Sequence, residues 1–188
     1  TSGPGLALMG EFINLAVMAE LPLVIVNVQR AGPSTGVPTK TEQADLLQAL
    51  WGRNGESPIP VVAAISPADC YDVTVEAAYI AIKYMTPVMV LSDTYLSASA
   101  EAWVAPNINS LPDIKINKVS TDQPFAPYKR DPVTLARAWA TPGMAGMEHV
   151  TGGLEKNGDA GSVSYNPDDH EMMVKMRAQK IANISSEM

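Results

Sequence analysis

The chain has 188 residues, 46% of them apolar and 18% charged, which is enough to bury a sizeable core and argues against global disorder. Its 20 acidic residues outnumber 13 basic ones, and the net charge of −7 disfavours nucleic acid or an anionic membrane as the main partner. One cysteine, Cys70, and two histidines, His149 and His170, exclude an internal disulfide framework, a thiolate-held cluster and a histidine-rich metal site, so no metal ligand is assigned.

The chain opens on Thr1-Ser2-Gly3-Pro4-Gly5, a loop-to-helix junction where a domain rarely begins, so a piece of a longer protein is expected. Helical spacing of Leu6, Met9, Ile13 and Ala16 predicts a largely buried helix over 6–20, ended by Leu21-Pro22. The run "LVIVNV" (23–28) reads as a strand covered on both faces. A loop of glycines, prolines and hydroxyls, "QRAGPSTGVPT" (29–39), follows it, with Arg30 at its root. Thr39 and Glu42 are spaced as a capping box, which predicts a helix over 39–52.

The unit then repeats in kind. "IPVVAAI" (59–65) is a strand, Ser66-Pro67 with Asp69 starts a helix running to about Lys83, and "PVMVLSD" (87–93) is a further buried strand. Short apolar strands alternating with helices predict an α/β fold, a parallel sheet with flanking helices and right-handed crossovers. Residues 1–103 form this unit. Residues 104–165, rich in Pro, Asn, Gly and Asp, read as an irregular arm, and 166–188 as a terminal helix starting at Asn166-Pro167. No signal peptide or bilayer-spanning run is visible, and the cysteine usage suits a reducing cytoplasm.

In open α/β sheets ligands bind beyond the carboxyl ends of the strands, and three elements converge there. Glycines in Ser2–Gly5 allow close backbone approach before a helix N-terminus. Arg30 either holds a planar anion bidentately or pairs with a carboxylate such as Asp45 or Asp93. Thr39 either caps a helix or touches a ligand. Asp93 and Thr94 lie at the same edge by topology. Glu11 and Glu20 are solvated or paired, Cys70 is a partly buried helical thiol, and Glu148 and His149 lie in a Gly-rich stretch without an assigned role. No Ser-His-Asp spacing is present.

These elements together resemble the α subunit of the 2-oxoacid:ferredoxin oxidoreductases, especially the 2-oxoglutarate type. The resemblance runs from "TSGPG" through "VQRAGPSTGVPT", "QADLLQA", "SPADCYD" and "PVMVLSD" to "GMEH" and the Met- and Lys-rich last helix. It implies part of a pyrimidine-binding domain of the thiamine superfamily. Thiamine diphosphate and Mg²⁺ would be shared with a β subunit, a [4Fe–4S] cluster would lie on another chain, and coenzyme A and ferredoxin would complete the reaction. Arg30 and Thr39 then match the family's 2-oxoacid-binding residues, and Ser2, Gly3, Pro4 and Gly5 lie close to the cofactor. The family's catalytic glutamate lies upstream of "TSGPG", and its carboxy-terminal domain follows the last helix, so this stretch alone is not expected to be active. Acetohydroxyacid synthase and pyruvate decarboxylase relatives share "TSGPG" and a following helix and strand. They form the alternative, along with a non-catalytic module of the same fold.

Overall fold

A computed structural model describes residues 1–187. Its elements in chain order are α1 (Gly3–Leu8), α2 (Gly10–Ala19), β1 (Leu23–Gln29), α3 (Leu46–Trp51), β2 (Val61–Ala63), α4 (Asp69–Tyr84), β3 (Pro87–Asp93), α5 (Thr94–Ala98) and α6 (Pro167–Ile184). The three strands form one parallel sheet in the order β1-β3-β2, so this is the α/β architecture expected. β3 is central and all seven of its residues are buried, which is why "PVMVLSD" carries an unbroken apolar run instead of an alternating one.

Successive β3 side chains face opposite layers. Met89 and Leu91 pack with Leu6, Ile13, Val17 and Ile25 from the α1–α2 side, while Val88 and Val90 pack with Val73, Ala77, Ile80, Tyr84 and Ile184 from the α4 and α6 side. The terminal helix is therefore part of the main core. Its start follows the sequence: the Asn166 side chain accepts from the Asp168 N–H at 3.0 Å, and Pro167 occupies the first turn.

Three boundaries differ from expectation. The first helix begins at Gly3 and breaks at Met9, whose φ of −89° and ψ of 1° leave the helical region just before Gly10. Strand β2 covers only Val61–Ala63, at the sheet edge. The helix predicted over 39–52 begins only at Leu46, and Thr39 does not cap it. The polar residues between them have tertiary partners instead. Glu42 accepts from the Gly32 N–H at 2.9 Å, Gln43 donates to Asp93 at 2.6 Å, and the Asp45 N–H donates to Gln29 at 3.0 Å. Those contacts hold the backbone away from the helix that spacing alone favours.

Candidate functional site at the carboxyl edge of the sheet

Strands β1 and β3 end in register, Gln29 opposite Asp93. The buried Gln29 amide is fully used, donating to the Ser92 carbonyl at 3.2 Å and accepting from Asp45. Asp93 accepts from the Tyr95 and Leu96 N–H groups at 2.6 and 3.0 Å and so caps α5, a short helix absent from the sequence reading. Burial pushes the Asp93 carboxyl up, but the Gln43 amide and these two backbone donors outweigh it and hold the group below its ordinary value.

Thr1 pairs with β1, its amino group donating to the Val26 carbonyl at 2.8 Å and its carbonyl accepting from the Val28 N–H at 2.9 Å. This sets Ser2–Gly5 beside the end of β1. A Cβ on Gly3 would lie 2.9 Å from an Asp45 carboxylate oxygen, and that carboxylate in turn accepts from Asn27 at 3.0 Å. The close packing at Gly3 is thus against the protein itself. Ser2–Gly5 remain half-buried, and α1 is too short for its dipole to define an anion site.

The loop after Arg30 is closed by hydrogen bonds. The Ala31 N–H donates to the Lys40 carbonyl at 2.9 Å, and the Val37 N–H donates back to Ala31 at 3.1 Å. Gly36 makes the turn possible: its φ is +45°, and a Cβ would sit 2.5 Å from the Ala31 carbonyl oxygen. Because Ala31 and Lys40 are bonded, the exposed Thr39 is held next to the strand exit that carries Arg30.

Arg30 itself is half-buried. Among the described residues no carboxylate forms an ion pair with it, and its Nε is buried without a hydrogen-bond partner. Asp45 and Asp93, the two carboxylates a salt bridge would have used, have the other partners given above. A guanidinium left in this state suits an anion that comes from outside the chain. A cavity of about 500 Å³ opens at the same edge, lined by Gln29, Gln43, Ala63, Ser92, Asp93 and Tyr95; Arg30, Thr39 and Ser2–Gly5 lie outside its lining.

The edge offers a thiamine-type cofactor accessible backbone at Ser2–Gly5. Among the described residues no group of three or more His, Cys, Asp or Glu could hold a metal ion. No helix among the described residues is long and apolar enough to cross a membrane.

A second polar cluster escaped the sequence reading. Glu20 ends α2 in the left-handed conformation, φ +52°, and is almost fully buried. Its carboxylate accepts from Arg130 and from Lys180, the latter at 2.7 Å, and its carbonyl accepts from Arg137 at 3.2 Å. Burial pushes the Glu20 carboxyl up, but Lys180 and Arg130 outweigh it and hold it below its ordinary value. Between α5 and α6 the described chain contains only one 3-10 turn, Ile108–Ser110, and isolated bridges, so this cluster fastens an otherwise irregular arm. Its members lie 110 to 160 residues from Glu20, beyond any local periodicity. The exposed Glu11 lies on α2, and Cys70 is half-buried on α4.

Comparison with known proteins follows the same lines. Residues 1–167 match the family described as pyruvate flavodoxin/ferredoxin oxidoreductase, thiamine diphosphate-binding. The 2-oxoglutarate oxidoreductase subunit KorA of Mycobacterium tuberculosis is 54% identical over 98% of this chain and 28% of its own length. The 2-oxoglutarate synthase subunit KorA of Methanothermobacter marburgensis is 37% identical over 97% of this chain and 48% of its own. Among solved structures, the 2-oxoglutarate:ferredoxin oxidoreductase from Magnetococcus marinus, with 2-oxoglutarate, coenzyme A and succinyl-CoA bound, superposes with a TM-score of 0.93. It is 37% identical, and the match covers 98% of this chain and 32% of that one. The chain thus spans between about a quarter and a half of the length of these relatives.

Proposed function

This chain belongs to the thiamine diphosphate-binding family of pyruvate flavodoxin/ferredoxin oxidoreductases, and from that premise we propose that it is part of the α subunit of a 2-oxoglutarate:ferredoxin oxidoreductase. The reaction is oxidative decarboxylation of the 2-oxoacid: coenzyme A takes the acyl group, carbon dioxide leaves, and ferredoxin takes the electrons. The observation that carries this reading is Arg30, a guanidinium at the sheet's carboxyl edge with a buried Nε and no carboxylate partner among the described residues.

Arg30 grips the 2-oxoacid carboxylate that departs as carbon dioxide, and its planar fork fixes that group's orientation better than a lysine would. Thr39, held next to the same strand exit by the closed loop, contributes a hydroxyl to the pocket. Ser2–Gly5 would sit close to the cofactor. Thiamine diphosphate, when bound, supplies the carbon nucleophile and electron sink that decarboxylation needs, while the protein positions and neutralises. Its diphosphate and Mg²⁺ belong to a β subunit, and a [4Fe–4S] cluster on another chain carries electrons onward. On this reading residues 1–103 are the carboxy-terminal part of the pyrimidine-binding domain. Residues 104–165 are an arm and 166–188 lead to a further domain, in a complex that works in the cytoplasm.

The full-length protein, assembled with its β partner under anoxia, tests this by coenzyme A-dependent reduction of a viologen dye. 2-Oxoglutarate is expected to exceed pyruvate in kcat/KM by at least about tenfold, the value of one well-placed polar contact. Equal use of both would overturn the substrate assignment, and no reduction with any 2-oxoacid by a cofactor-loaded preparation would overturn the activity.

A further inference from the structure

A cavity of about 490 Å³ between Leu21 and the arm has Trp139, Met144 and Met147 in its walls together with His149, Arg137 and the exposed Glu148. Arg137 is only 4% exposed. Its Nε donates to the Glu20 carbonyl at 3.2 Å, while Nη1 and Nη2 make no hydrogen bond or ion pair among the described residues. The His149 ring donates from Nδ1 to the Met147 carbonyl at 2.9 Å, so Nε2 is the free ring atom, and it donates to an anion as the imidazolium.

Charge balance behind this wall is incomplete. The side chains of Arg130, Arg137, Lys156 and Lys180 are all buried, and three of them surround the Tyr128 ring: Lys156 at 4.8 Å, Arg137 at 5.3 Å and Arg130 at 5.9 Å from its centre. Glu20 forms ion pairs with both Arg130 and Lys180, one negative charge against two cations. Among the described residues Arg137 and Lys156 bond only backbone carbonyls, those of Glu20 and Met18. Burial pushes the Lys156 ammonium down from its ordinary value, as expected for a cation short of a counter-charge. Buried charges of this kind need an anion close by.

We propose that the arm cavity is a binding site for an organic phosphate, the phosphate seated on the Nη1–Nη2 fork of Arg137 beside His149 and the organic body resting on Trp139, Met144 and Met147. A phosphate dianion fits better than a carboxylate because Arg137 in the wall and Lys156 behind it both lack an ion pair among the described residues. The volume falls within the range of about 300–1,000 Å³ typical of small-molecule sites, and the apolar wall gives a planar or apolar body its contacts. The site uses neither Arg30 nor Thr39 and stands independently of the activity proposed above.

The test uses the full-length protein with its partner and three probes followed by calorimetry: adenosine 5′-monophosphate, inorganic phosphate and succinate. Adenosine monophosphate should bind most tightly, phosphate more weakly and succinate weakest. Arg137→Gln should weaken the nucleotide about 10²-fold and His149→Ala several-fold, the values expected for losing a guanidinium fork and a single imidazolium Nε2–H donor to a phosphate. Should Arg137→Gln fail to assemble, Arg137→Lys keeps the charge without the fork, and a loss of about tenfold is expected. Three results would each overturn the proposal: no nucleotide binding at about 1 mM, nucleotide affinity untouched by the Arg137 and His149 substitutions, or succinate binding as tightly as the nucleotide.

Discussion

Arg30 and Arg130 are the same residue type held for opposite ends. Arg130, in the arm, is buried against the Glu20 carboxylate in a cluster that joins α2, the arm and α6. Arg30, at the sheet's carboxyl edge, has neighbouring carboxylates that are all engaged elsewhere, and its Nε is left without a partner. Arg130 finds its partners within the chain, in Glu20 and the Tyr128 and Gly158 carbonyls. The sheet edge leaves a charge incomplete, and an incomplete charge is what a substrate carboxylate can complete. The contrast teaches that partner inventory, not residue type or burial, separates a structural arginine from a binding one.

The largest effect that could break this contrast is at Glu20. Glu20→Gln removes the charge that Arg130 and Lys180 share and leaves both buried and uncompensated, an expected loss of about 3–5 kcal/mol in stability. Chemical denaturation measures it, and a loss below about 1 kcal/mol would show that the cluster is not the arm's fastening. The same residue sets an acid limit. Its folded-state value lies below its ordinary 4.5, so the unfolded chain binds the proton more readily. The Glu20 contribution is therefore complete above that pH and is lost as pH falls through the folded value. The acid side of the stability profile should flatten in Glu20→Gln; an unchanged slope would assign the acid sensitivity elsewhere.

A smaller effect belongs to the sheet edge. Asp93→Ala removes the α5 cap and leaves Gln43 unpaired, for an expected loss of about 1–2 kcal/mol. The smallest is at Arg30. Since the guanidinium forms no ion pair among the described residues, Arg30→Gln should change stability by less than about 0.5 kcal/mol. A larger loss would mean that Arg30 is structural after all.

Much of this is legible before any coordinates. The β3 run "PVMVLSD" carries its central position in its unbroken burial, and Asn166-Pro167 marks the start of α6. Arg30 at the exit of β1 follows from parallel topology, while Ser2–Gly5 reach the same edge because Thr1 pairs with Val26 and Val28. What stays hidden depends on long-range partners. Thr39 and Glu42 have the spacing of a capping box, but Glu42 is taken by the Gly32 N–H and the helix waits until Leu46. Whether Arg30 pairs with Asp45 or Asp93 cannot be decided from spacing, because Asn27 and Gln43 claim those carboxylates from other elements. The Glu20 cluster joins residues separated by more than a hundred positions, in a stretch with no periodic signal to announce it.

The most direct test of the central claim pairs activity with stability in one variant. Arg30→Gln in the full-length protein with its partner should lower kcat/KM for 2-oxoglutarate about 10²-fold, the loss expected from removing a charged bidentate contact, with an unchanged Tm. A kcat/KM within about twofold of the parent, in a protein equally stable, would contradict the assignment of Arg30 as the carboxylate anchor.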